Sequence, residues 1–223
     1  MRVGITYIRT FVIVCFSIFI FGCAGESTSS SSATVENASA SDTAVVHSSA
    51  SWESPARTVA EAARESDIIV RARVIQEPVT RVLDFGAPIT NEDGTPTDAI
   101  HTTTIAFADT LVEVITTYKG SPPNELLVMQ TGGTLPSGQV AQLSDDPLYR
   151  VGDEYILFLV DISGDNVHAP DRELYRIVSP VGRFLINGDT ATTFAEEYMR
   201  QQLPTTTTQL ERQVTEAVAA TSN

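Results

Sequence analysis

The chain is poor in cysteine, in histidine and in positive charge, and each shortage excludes something. Two cysteines in 223 residues rule out a disulfide-framework fold. The three histidines, His47, His101 and His168, form no His-x-x-x-His pair and follow no Glu-x-x-His spacing, so no zinc motif is present and no cofactor is expected. Lysine and arginine number 14 against 28 aspartates and glutamates, a formal charge of −14. Nucleic acid and anionic membrane surfaces would be repelled, which excludes them as electrostatic partners. A Gly-x-Ser-x-Gly elbow is missing, and the longest apolar run falls short of the roughly 20 residues of a membrane span. What remains, 42% hydrophobic and 19% charged, suits one globular domain with polar appendages.

That longest apolar run, Phe11 to Phe21, follows Arg2 and Arg9 and has the length of a signal-peptide hydrophobic region. It leads into Ile20-Phe21-Gly22-Cys23, which resembles a bacterial lipobox. The resemblance implies cleavage after Gly22 and a diacylglycerol thioether on Cys23, with acyl chains that hold the protein to a membrane at about 0.8 kcal/mol per buried methylene. Cys15 would leave with the leader, so no thiol chemistry would remain. Ala24 follows the cysteine where an aspartate would retain the protein at an inner membrane. The expected location is therefore the cell membrane or outer membrane, on the extracytoplasmic face. From Ala24 to Ser51 the chain is Ser-, Ala- and Thr-rich. It reads as a disordered tether, with His47 as a solvated residue within it.

The folded region is expected over 52–203, followed by a helical tail over 204–223. Thr58-Val59-Ala60-Glu61 fits a capping box and predicts a helix over 55–66. Ile68 to Ile75, Thr102 to Tyr118, Glu125 to Gln130, Gln139 to Leu143, Glu154 to Val160 and Ala191 to Phe194 read as strands. Leu174 to Val178 and Val181 to Asn187 read as a hairpin-like pair about Ser179-Pro180. The Pro- and Gly-punctuated stretch from Glu77 to Ala99 reads as a long excursion with a short hairpin, and Asn91-Glu92-Asp93-Gly94 as a turn rather than a calcium loop. Gly132-Gly133 reads as a turn or bulge, not a phosphate loop. Thr208-Gln209-Leu210-Glu211 predicts a second capping box, with Leu210, Val214, Ala217 and Val218 as a stripe packed on the domain. The short connections call for an antiparallel sheet. The expected class is mainly β: a small OB-like barrel of six to seven strands with a short N-terminal and a C-terminal helix.

The order "Glu-Ser-Asp-Ile-Ile-Val-Arg-Ala-Arg-Val", "Val-Glu-Val-Ile-Thr-Thr-Tyr-Lys-Gly", "Thr-Gly-Gly" and "Tyr-Arg-Val-Gly-Asp-Glu-Tyr-Ile-Leu-Phe-Leu" resembles a group of uncharacterised secreted bacterial proteins. It is more distantly similar to the netrin-like modules of tissue inhibitors of metalloproteinases. The resemblance spans Thr58 to Asn187 and implies an OB-type barrel. In those inhibitors a disulfide-held N-terminal cysteine chelates the protease zinc; here Cys23 would be acylated and unpaired, so that mechanism does not transfer.

Few residues suggest chemistry. His101 or His168 with Ser137 or Ser179 would be needed for a triad, and His168 with Asp165 and Asp171 is a weak metal candidate. Arg71 and Arg73 alternate on one strand, either as an anion stripe or as a wet face paired with acids. Tyr149, Tyr155, Tyr175 and Phe184 either line a binding face or fill the core. The expectation is a lipid-anchored, non-catalytic binding module for an extracytoplasmic protein or glycan, with no catalytic and no metal residues. A protease-inhibitor-like module, acting for instance through a rigid loop at 132–136, is the alternative; a hydrolase near His168 comes third.

Overall fold

The computed structural model describes residues 45–48, 56–90 and 95–221. Gly22 and Cys23, the expected leader, most of the expected tether and residues 91–94, which the sequence reads as a turn, lie outside them. Within the described residues the elements are β1 (Val45–Ser48), α1 (Val59–Glu65), β2 (Ile68–Val74), β3 (Val79–Thr90), β4 (Pro96–Lys119), β5 (Glu125–Thr134), β6 (Val140–Leu143), β7 (Glu154–Asp161), β8 (Tyr175–Ile177), β9 (Arg183–Asn187), β10 (Thr190–Thr193), α2 (Glu197–Arg200) and α3 (Thr207–Thr221). The fold is mainly β, as the sequence predicts. Five strands close a ring in the order β2–β4–β5–β8–β7 and back to β2. This is the connectivity of an OB-type barrel, and the remaining strands extend its walls.

Four of the five seams are antiparallel, but β5 and β8 run parallel, through Val128↔Tyr175 and Met129↔Arg176. The hairpin expected around Ser179-Pro180 is not formed. β8 and β9 lie in line along the same edge of β7, Leu159 facing Ile177 and Leu157 facing Arg183. The 3₁₀ turn Pro180–Gly182 makes a step between them and not a reversal. One apolar strand therefore has two short neighbours on one edge, which short segments in sequence do not announce.

The capping box at Thr58 forms as read: the Glu61 amide donates to Thr58 Oγ1 at 3.2 Å, and Glu61 Oε2 accepts from the Thr58 amide at 3.2 Å. The helix end is closed by Lys119, whose Nζ donates to the carbonyls of Ala63 (2.7 Å) and Ser66 (2.5 Å). A cation there satisfies orphan carbonyls and meets the negative end of the helix dipole. The second box does not form. Thr206 caps α3 instead, its Oγ1 accepting from the Gln209 amide at 3.2 Å. Thr208 Oγ1 turns to Asp189 (2.9 Å), and Glu211 is drawn to Tyr118 (2.7 Å).

Two further expectations change. Val45–Ser48, inside the stretch read as tether, pairs in parallel with β6 (Val46↔Ala141, His47↔Gln142); the β-branched pair Val45-Val46 suits a strand. The excursion at 77–99 is instead a long ribbon, β3 against the first half of β4, from Val79↔Asp109 to Pro88↔Ile100. Pro88 is tolerated because the backbone of β3, among the described residues, pairs only with β4, and an edge strand can spare the amide.

Packing falls into three zones. Val70, Ala72, Val74, Val112, Leu126, Val128, Tyr155 and Leu157 fill the barrel. Val59, Ala62 and Ala63 of α1 with Leu210, Val214 and Ala217 of α3 cover the β2–β7–β9 wall over Ile69, Ile156, Phe158 and Phe184; the expected α3 stripe is thus a packing face. Outside the β4–β5 wall, Phe107 and Met129 pack under Ala169 and Leu174, with Leu83, Phe85 and Ile105 from the ribbon beside them.

Gly132 and Gly133 lie inside β5 with φ of 123° and 134°, where an L side chain is strained. A Cβ on Gly132 would stand 2.5 Å from the carbonyl oxygen of Ala141, and one on Gly133 2.5 Å from Thr80 Oγ1. The pair lets β5 bend and carry the hairpin with β6, a bulge-like reading rather than a phosphate loop. Gly132→Ala is expected to cost at least about 1–3 kcal/mol in backbone strain, read as a lower urea midpoint with an unchanged slope.

Candidate functional site

Three polar constellations stand out, and only one was legible beforehand. The first is inside the barrel. Arg183, 1% exposed, enters from β9 and stacks its guanidinium carbon 3.8 Å from the Tyr149 ring centroid, 4.6 Å from Tyr155 and 4.8 Å from Phe194. Its Nη1 donates to Asp146 Oδ1 at 2.7 Å and to the Pro147 carbonyl at 2.5 Å, and its Nη2 to the Tyr155 hydroxyl at 3.1 Å. Gln130, also buried, donates to the carbonyls of Asp146 (3.2 Å) and Pro147 (3.0 Å) and accepts from the Tyr149 amide at 3.0 Å. Burial pushes the Asp146 carboxyl and the Tyr149 phenol up, with Arg183 pulling against both. Tyr155 and Tyr175 are likewise raised by burial.

So the aromatic residues singled out in the sequence are core: Tyr149, Tyr155, Tyr175 and Phe184 are all buried. The sequence reading missed Arg183 and Asp146. The usable signal was one cation in the apolar run Val181 to Ile186, on the same face as Leu185. This site is closed, and it holds a loop in place and offers no reactive group.

The second constellation lies outside the β4–β5 wall. Asp109, 4% exposed, takes a two-nitrogen fork from Arg81 of β3, Nε at 2.5 Å to Oδ2 and Nη2 at 3.0 Å to Oδ1. Arg172 Nη2 reaches the same Oδ2 at 2.7 Å. Beside it His168 lies edge-on to Phe107, centroids 5.2 Å apart, and its Nδ1 meets Asp165 Oδ1 at 2.9 Å. Burial would raise the Asp165 carboxyl. The backbone amides of His168 and Val167 and the His168 ring outweigh that and hold it below the usual carboxylate range.

Of the triad and metal candidates, His168 and Asp165 are brought together, and the serines bond elsewhere. Ser137 donates to Gln139 Oε1 (3.3 Å), and Ser179, buried, to the Ala56 carbonyl (3.3 Å). His101 stands on β4 opposite Ala87, and Asp171 is exposed. Among the described residues no group of three or more His, Cys, Asp or Glu side chains is placed to hold a metal.

The third constellation is the predicted arginine pair. Arg71 and Arg73 of β2 converge on Glu154 of β7, at 3.0 Å and 2.5 Å, and Arg71 also reaches Glu211 at 3.4 Å. They are the wet, acid-paired face that was one of the two readings. Arg71 and Glu154 border a cleft of about 460 Å³ with Asp153, Leu185, Asn187 and Gly188. Tyr118, donating to Glu211, is pushed up by burial first and by that carboxylate second.

No family model matches the chain, and no curated protein matches it. The functional reading therefore rests on the sequence and on geometry.

Two measurements follow. Asp146→Asn leaves a guanidinium buried without its counter-charge and should cost about 3–5 kcal/mol, whereas Asp146→Leu with Arg183→Met should cost far less; chemical denaturation of the three proteins reads the coupling. Glu154 is held below its ordinary value of 4.5, the Arg73 hydrogen bond first. Its contribution is therefore full above that value and is lost as pH falls through the lower folded one. Glu154→Gln should lower the melting temperature at pH 7, and the gap from wild type should close in acid.

Proposed function

We propose that this chain is a cell-envelope lipoprotein, anchored through Cys23 after cleavage behind Gly22, whose barrel is a non-catalytic binding module on the extracytoplasmic face. The N-terminal sequence supports the anchor. The observation that carries the binding reading is the outer edge of β3. Over Val79–Thr90 the backbone of this strand, among the described residues, pairs with β4 alone; on the face away from Arg81, Thr80 Oγ1 also accepts from the Thr134 amide at 2.9 Å. Val79 (57%) and Val82 (40%) are exposed along it, with Ile100 (67%) across the ribbon. Domains usually blunt such an edge with charge or cover it, because its open amides and carbonyls template another strand. A partner adding a strand would use those groups for affinity and side chains for choice. The inhibitor reading asks for a protruding loop at 132–136; Gly132–Thr134 are paired to β6 instead and lend it no support.

The experiment places a photoreactive residue at Val82, or at the more exposed Tyr198 as a control, in whole cells carrying either the wild-type chain or Cys23→Ser. The expected result is an intact mass beginning at acylated Cys23, lost in the serine variant, and a discrete adduct from position 82 that is absent from 198. An unmodified chain would overturn the anchor. Equal adducts from both positions would overturn the β3 edge.

A further inference from the structure

The inner neighbour of that edge carries an unbalanced charge. At Asp109 two guanidiniums share one carboxylate, and both reach its Oδ2, Arg81 at 2.5 Å and Arg172 at 2.7 Å. The cluster is therefore net positive by one in a chain of charge −14. It is not sealed: the Arg81 and Arg172 side chains are 22% and 34% exposed over an Asp109 that is 4% exposed. A guanidinium has five N–H donors. Among the described residues, Arg81 Nη1 and Arg172 Nε and Nη1 have no acceptor. The other two arginine clusters differ. Arg183 is buried against Asp146, and Arg71 and Arg73 are matched by Glu154 and Glu211.

Position gives the surplus a direction. Arg81 belongs to β3, and alternation puts Arg81, Leu83 and Phe85 on one face of the ribbon while Val82 and Asp84 point to the other. The first face leans on Phe107 and Met129, with Arg81 Nη2 3.7 Å from Met129 Sδ. A strand laid along the outer edge of β3 would set the side chain opposite Arg81 on that same face, about 4.5–5.5 Å away at Cβ. A carboxylate there meets the unspent donors of Arg81 and Arg172 as charge-assisted bonds. The next residue on that face, two positions along, meets Leu83 and is best apolar.

We propose that the partner is an extended acidic peptide segment, with a carboxylate opposite Arg81 and an apolar residue opposite Leu83, added as a strand to β3. This rests on the binding-module reading and sharpens it. A peptide fits better than a sugar acid because the open amides of β3 complement a backbone. Exposed Asp171 and Glu173 beside Arg172 add negative charge and disfavour a densely charged polyanion.

The test is an NMR titration of the full chain in detergent micelles. The probes are a capped peptide of alternating threonine and valine with one central glutamate, its glutamine counterpart, and methyl glucuronide. Expected are shifts of the Val79–Phe85 amides and of the Arg81 and Arg172 side-chain N–H signals. Affinity should fall roughly tenfold, about 1.4 kcal/mol, for the glutamine peptide. It should fall by the same factor for Arg172→Gln with the glutamate peptide, with no further loss when both changes are combined. Arg200→Gln, which removes an equal charge on α2, should bind as wild type does, and thermal melts would establish that both variants fold. Equal affinity of the two peptides at β3 would overturn the carboxylate site and leave the binding edge standing. No β3 shifts with either peptide would overturn strand addition itself. Binding of the glucuronide alone, sensitive to Arg172→Gln, would overturn the peptide assignment.

Discussion

A guanidinium inside a small barrel must be neutralised where it stands, and much of this structure follows from that requirement. Arg183 occupies space that an aliphatic side chain would otherwise fill. The solution comes from one segment, 146–149: a carboxylate at Asp146, a carbonyl at Pro147 and the Tyr149 ring over the cation. Gln130 then fixes that segment to β5 through both ends of its amide. The loop between β6 and β7 is thereby an internal part of the barrel, with Asp146 and Tyr149 buried. A buried pair of this kind adds little net stability over an apolar replacement, but it fixes one arrangement, since any other leaves a buried charge unpaired.

Closure of the ring rests on a short contact. β8 spans three residues, and the parallel seam with β5 has two residue pairs. β7 holds β8 on its other side, and the Leu174 amide is bound by Ser163 Oγ at 3.0 Å. The barrel wall is thus strongest along β2, β4 and β7, which carry the long registers, and lightest at the β5–β8 seam. The polar clusters outside the wall follow the same division. The matched one lies over β2–β7, and the unmatched one lies between the ribbon and the 162–174 connection.

What could be read from the sequence was whatever local chemistry dictates. Thr58 and Glu61 spell a capping box and form one; Ile68 to Val74 and Glu154 to Asp161 are β-branched or apolar enough to be strands in any setting. The readings that changed were those that depended on neighbours. Gly86 and Pro88 look like loop punctuation until the strand that carries them proves to be an edge. Thr208 and Glu211 have the right spacing for a cap, but Asp189 and Tyr118 compete for them through space. Arg183 and Asp146 lie 37 residues apart, and Asp109 meets Arg81 and Arg172 over 28 and 63. No local pattern joins such residues, so the polar sites were the least legible part of the molecule.

Lys119 is the only lysine in the chain, and its Nζ bonds to Ala63 and Ser66 both serve the end of α1. An amine-directed label, cross-linker or acyl donor would therefore meet a single side-chain amine on the whole protein. Its attachment would uncap the helix it was meant only to mark. Lysine mapping is consequently a poor ruler for this protein's surface, and proteolysis at basic residues is almost entirely arginine chemistry. Exposed carboxylates such as Asp171 and Glu173 are better handles, whereas Asp109, Asp146 and Glu154 carry the fold.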